Sequence, residues 1–175
     1  MKIKTILSLT SFVSAFAIGL IIFTLSTFNI FTNFFQKDID SAAKAKIYSV
    51  LKQDTQNRKN MVAKIFNREA GDHTTFFKAI TDLGEETENI DLSGTPEDFQ
   101  IAWKEYAATR TEWANLINHL DNLPNQGSLT KAEAKIAERK IAEQNIAWKN
   151  VVLITESYGF EFDKNVNVIE KNLDN

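Results

Sequence analysis

Large apolar side chains recur along this chain at helical spacing in four runs, and near the amino terminus one stretch is apolar throughout. No charged residue occurs from Thr5 to Gln36. Within it, "ILSLTSFVSAFAIGLIIFTL" (residues 6–25) has the length of a bilayer-crossing helix, about 20 residues. Lys2 and Lys4 precede it, as in a secretory signal or an uncleaved signal anchor. The one small-residue cleavage candidate, Ala15-Phe16-Ala17, is followed by "IGLIIFTL", so cutting there leaves an apolar stub. The expectation is a transmembrane signal anchor over residues 1–36, in contact with lipid through residues 6–35. Ser11, Ala15 and Gly19 share one face of this segment, and small side chains let a partner helix approach closely. The signal-like start places the remaining domain on the extracytoplasmic, periplasmic side.

Beyond the anchor, Phe35, Ile39, Ala43, Ile47, Leu51, Met61, Ile65 and Phe66 predict that the membrane helix continues outward as one long amphipathic helix ending near Gly71. Its middle, "KQDTQNRKN", is polar and is expected to be weakly buried. Asp72 is placed to cap a short helix carrying Phe76, Phe77, Ile80 and Leu83, with Gly84 as its stop and "EETENIDLSG" as a loop.

Thr95 at a cap position, Pro96 at the first helical position, and Glu97 and Asp98 in the first turn predict a helix to about Asn122, before Pro124. "LPNQGS" then reads as a turn. Thr130 and Glu133 form a capping-box pattern, followed by Ala134, Ala137, Ile141, Gln144, Trp148, Val151, Thr155 and Tyr158, with Gly159 at the C′ position. Phe160 and Phe162 alternate as in a strand, but an unpartnered strand has little stability, so the tail (160–175) is expected to be irregular, partly packed or disordered. The fold class is therefore all-α: an anchor followed by an antiparallel helical bundle of three long helices and one short one over residues 37–159.

In "DFQIAWKEYAATRTEWANLINHLD" the seam Phe99, Trp103, Tyr106, Trp113, Ile117, Leu120 is interrupted by Arg110. A short connection makes neighbouring helices antiparallel. A turn near residue 126 sets Trp103 level with Trp148, and Arg110 level with residue 142, near Glu143 and Gln144. Trp103, Tyr106, Trp113 and Trp148 are the expected aromatic core. Arg110 has two readings. Its stem lies along the seam while its head snorkels to solvent beside Glu143; or Arg110, Gln144, Asp54 and Arg58 form a polar layer able to bind a small anion or carboxylate.

Charge narrows the partners. The 23 acidic residues all follow residue 36, against 18 of the 20 basic ones, leaving about −5 on the domain and disfavouring nucleic acid. With no cysteine, thiol catalysis and disulfides are excluded. His73 and His119 are the only histidines, in no metal-ligand pattern, and are expected to be structural or solvent-exposed. Phosphate-loop, dinucleotide and nucleophile-elbow motifs are absent from the sequence. In outline, one span followed by a helical domain resembles the membrane-proximal sensor bundles of bacterial chemoreceptors and kinases, although no second apolar stretch of spanning length is present. The functional expectation is a non-enzymatic, cofactor-free interaction or scaffold module of a bacterial-type cell envelope, pairing with itself or with a membrane protein. The alternative is a small-ligand domain acting with a separate signalling or transport partner.

Overall fold

A computed structural model describes residues 39–67, 73–121, 130–163 and 168–169. They form α1 (Ser41–Phe66), α2 (His73–Glu88), α3 (Glu97–Asp121) and α4 (Lys131–Ser157), followed by β1 (Glu161–Phe162) and β2 (Val168–Ile169). The anchor segment, with Ser11, Ala15 and Gly19, lies outside the described residues, as do Asp72 and the turn before Thr130. None of the described helices is long and apolar enough to cross a membrane.

Each helix packs against the next in sequence. Contacts between neighbours run in opposite senses along the two chains. Lys46 meets Asp91 and Lys64 meets Asp82; Thr81 meets Asn118 and Thr87 meets Arg110; Glu112 meets Lys140 and Asp98 meets Tyr158. The four helices therefore alternate in direction, as short connections require.

Local chemistry sets most of the boundaries. Asp40 accepts from the Ala43 backbone N–H at 2.7 Å, capping α1. That cap starts α1 at Ser41, and Ile39 and Asp40 are not helical, so the expected helix does not run unbroken from Phe35. Thr130 and Glu133 form the expected reciprocal capping box of α4, and these bonds hold the Glu133 carboxyl below its ordinary range. Gly159 follows α4 with φ +83°, the left-handed conformation a C′ glycine accepts without strain. At the start of α3, the Thr95 hydroxyl donates to the Leu92 carbonyl instead of capping, and the first helical bond is accepted by Pro96.

Two further expectations are corrected. Gly84 does not stop α2, which runs on to Glu88 and absorbs the first part of the expected acidic loop. Its role is close approach: a Cβ built there lies 3.4 Å from Ala114 Cβ and 3.7 Å from the Arg110 carbonyl oxygen, so α2 and α3 nearly touch. Gly84→Ala is expected to be neutral or to stabilise by up to about 1 kcal/mol, because Ala favours the helix and its methyl just fits. Gly84→Leu forces the helices apart and is expected to cost about 1–3 kcal/mol in thermal or urea unfolding. The second correction is in the tail, where Glu161–Phe162 pairs antiparallel with Val168–Ile169. Val168–Ile169 supplies the partner strand, and Phe160, Phe162 and Val168 pack on the core.

The apolar interior has two parts. One contains Ile47, Val50, Leu51, Ile90, Phe99, Trp103, Tyr106, Trp148, Val151, Val152 and Tyr158. The other contains Phe76, Phe77, Trp113, Ile117 and Ala137. The aromatic core is thus divided, with Trp113 apart from Trp103, Tyr106 and Trp148. The rings on Trp148 are Tyr106, at 4.9 Å between centroids, and Phe162, at 6.5 Å, and not Trp103 as the turn arithmetic implied.

A charged layer between two cores

Between the two apolar clusters every helix contributes a buried polar side chain: Asp54 from α1, Thr87 from α2, Arg110 from α3 and Gln144 from α4. Asp54 and Thr87 are 0% exposed, Arg110 6% and Gln144 9%. Arg58, one turn beyond Asp54, completes the set, with 22% of its side chain exposed.

The arginine that interrupts the α3 seam is therefore a member of the interior. Its Nη1 donates to Asp54 Oδ1 at 3.0 Å and to the Thr87 hydroxyl at 2.9 Å, while the guanidinium carbon lies 4.6 Å from the Tyr106 ring centroid. The Thr87 hydroxyl in turn donates to the Leu83 carbonyl at 2.7 Å, which leaves its lone pairs facing Arg110. A buried guanidinium without acceptors carries a severe desolvation cost, and this carboxylate and hydroxyl offset it. Both the solvent-reaching path and the Glu143 partner are ruled out for Arg110 in this geometry. Glu143 instead meets Lys140 at 2.8 Å and Arg139 at 3.6 Å on the outside of α4, and Lys140 holds its carboxyl below the ordinary range.

On the other side of Asp54, Arg58 Nε lies 2.9 Å from Oδ2, but off the N–H axis, so neither atom completes a hydrogen bond. The Arg58 guanidinium sits over the Trp148 ring, 5.2 Å from its centroid. The two arginines and two rings form one chain of contacts, because Tyr106 and Trp148 themselves meet, tilted at 45°. Burial pushes the Tyr106 hydroxyl well above the ordinary phenol range, so it is a neutral group at physiological pH.

Of the four site residues expected from the sequence, Arg110, Asp54 and Arg58 meet at this level, and Gln144 is buried on α4 one turn before Trp148. Asp54 was expected on a weakly buried stretch and is in fact completely enclosed. Thr87 is the member that sequence reading missed. It falls in the acidic stretch taken for a loop, yet it lies one helical turn beyond Leu83, and extending that seam by four residues finds it.

Several buried atoms here have no hydrogen-bond partner: Asp54 Oδ2, Arg58 Nε, Arg110 Nε, Gln144 Oε1 and Trp148 Nε1. Among the described residues no group of three or more potential metal ligands occurs, and His119 is exposed. A groove of about 460 Å³ lies between α1 and α2, lined by Gln53, Asn57, Asp82, Glu85, Glu86 and Asn89. On the outer face of α4, Ile146 and Leu153 are 64% and 42% exposed.

Fold and site together define an antiparallel four-helix domain with a charged interior layer. Comparison with known protein families, with curated proteins and with solved structures finds no match for this chain.

Proposed function

We propose that this protein is a non-enzymatic helical interaction module, held at the bilayer by residues 6–35, with its helical domain on the extracytoplasmic side of a bacterial-type envelope, and that its partner is a second copy of itself. The observation that carries the reading is the pair Ile146 and Leu153, exposed and seven residues apart on the outer face of α4. Two helical turns separate them, so they lie on one face of α4, on either side of Lys149 and Asn150.

A second copy is favoured by the tether. Confinement to the same membrane raises the effective concentration of one copy around another, so a small apolar contact suffices. The face made by Ser11, Ala15 and Gly19 offers the anchors a means of pairing beneath the domains.

The test is energy transfer between differently labelled full-length chains in bilayers, titrated by dilution in lipid. Wild type is expected to associate, and Ile146→Glu with Leu153→Glu to weaken association about tenfold or more, because each carboxylate must be desolvated in the interface. Gly19→Leu is expected to weaken it further by spacing the anchors apart. Wild type that remains monomeric, or a double variant that associates as wild type does, would overturn the reading.

A further inference from the structure

α1 contains six basic residues, Lys44, Lys46, Lys52, Arg58, Lys59 and Lys64, and one acid, Asp54. That acid is fully buried, and its carboxylate reaches Arg110 on α3, a helix that does not follow α1 in sequence. The other contacts of α1 discriminate poorly between heights. Its inward side chains on either side of Asp54 are aliphatic, Ile47, Val50 and Leu51 in the first core and Ile65 against the second, and apolar attraction is non-directional. Its outer ion pairs, Lys46–Asp91 and Lys64–Asp82, each have an exposed member, and surface pairs contribute little.

From the single buried acid on a basic helix and its contact with α3, we infer that Asp54 is a register pin, which fixes the height of α1 in the bundle. Sliding α1 by one turn brings Val50 or Arg58 to the place of Asp54, since helix positions four apart share a face. Val50 leaves Arg110 facing no carboxylate, and Arg58 sets a like charge against it. Both slipped registers therefore hold a buried guanidinium without its counter-charge, which is strongly unfavourable, whereas the intact pair adds little to stability. The pair acts by penalising the alternatives, as a polar residue in the seam of a coiled coil does. α1 is also the first helix after the apolar run of residues 6–25, so on the anchor reading the pinned helix is the one that carries the tether.

The chain has no cysteine, so two introduced cysteines take spin labels at chosen sites alone. Lys59 on α1 and Glu105 on α3 are exposed, one lying beyond Asp54 and the other before Arg110, so a slide of α1 along its axis changes the distance between them. Pulsed electron resonance reads that distance in the full-length chain in detergent carrying Lys59→Cys and Glu105→Cys. Labelled chain is diluted in unlabelled chain, so that only pairs within one molecule are seen. With the layer intact, one distance is expected. Adding Asp54→Leu, Arg58→Met and Arg110→Met makes the inward face of α1 apolar from Ile47 to Ile65. That variant is expected to remain helical by circular dichroism and to show a second distance, shifted by about 3–5 Å, because one helical turn is about 5.4 Å. Lys46→Gln with Lys64→Gln is expected to keep the single distance.

The single original distance in the apolar variant would overturn the proposal, since α1 would then hold its height without the charges. An apolar variant that does not fold would also overturn it, by making the layer a support of the fold and not a selector of register. So would a second distance in Lys46→Gln with Lys64→Gln, which would assign the register to the surface pairs. Ile146 and Leu153 are untouched throughout, so this proposal and the self-association reading fail separately.

Discussion

Asp54→Ala is expected to destabilise the folded protein by about 3–5 kcal/mol, because it leaves two guanidinium groups without their shared carboxylate in the interior. For a chain of this length that is a fall in melting temperature of roughly 10–15 °C. The magnitude follows from the asymmetry of buried ion pairs: an intact pair adds little, whereas one orphaned partner costs its full desolvation. Asp54 is the single carboxylate facing both arginines, so its loss removes the counter-charge of both and leaves Arg110 only the Thr87 hydroxyl. The same logic makes a second, opposite forecast. Asp54→Leu combined with Arg58→Met and Arg110→Met is expected to be neutral or to stabilise by about 1–4 kcal/mol, since no charge is then left inside. Thermal unfolding of the two variants beside wild type decides the matter. A loss of less than about 1 kcal/mol in Asp54→Ala would show that the arginines find other acceptors or water.

The next largest effect is expected in the first core. Trp103 is 1% exposed, stacks on Phe99 at 5.8 Å, meets Tyr106 edge-on at 5.6 Å, and donates from Nε1 to the Thr87 carbonyl at 3.3 Å. Trp103→Ala removes that packing and opens a cavity the surrounding helices cannot fill, at an expected cost of about 3–5 kcal/mol. Trp103→Phe keeps one ring and loses the long hydrogen bond, and is expected to cost about half as much. Thr87 joins Trp103 to Arg110 through its carbonyl on one side and its hydroxyl on the other. Trp103→Phe and Arg110→Met are therefore expected to be non-additive in a double-mutant cycle, by about 0.5 kcal/mol or more. Additive losses would show that the layer and the first core are energetically separate.

The charged layer shows where sequence reasoning reaches its limit. Arg110 stands out in the α3 seam because a charge breaks an apolar helical period, and Gln144 stands out in α4 for the same reason. Periodicity identifies the face of a helix on which a residue lies. It does not identify which residue of another helix comes to that face. Glu143 shares a level with Arg110, yet it sits about 100° around the helix from Gln144, and that rotation turns it out to Lys140. Asp54 is 56 positions away from Arg110 and on a helix that is not its neighbour in sequence. Its selection depends on how α1 is set against α3 across the bundle. Gly84 is a similar case, because a glycine that ends one helix and a glycine that lets two helices touch look alike in sequence.

What the sequence by itself determined about this protein is everything written in short-range chemistry: four helical segments, the Thr95-Pro96 start signal before α3, the Thr130 capping box, the Gly159 terminus, and the apolar seams that must face inward. These depend on interactions within a few residues, for which spacing along the chain is spacing in space. Only the tertiary structure decided that the seams form two cores and not one, that Phe162 finds a strand partner at Val168, that Tyr106 takes the place beside Trp148, and that Asp54 holds both arginines. Those choices follow from the register and rotation of packed helices. A shift of one residue there exchanges an inward partner for an outward one at almost no cost in local propensity, so only the whole packed interior selects among them.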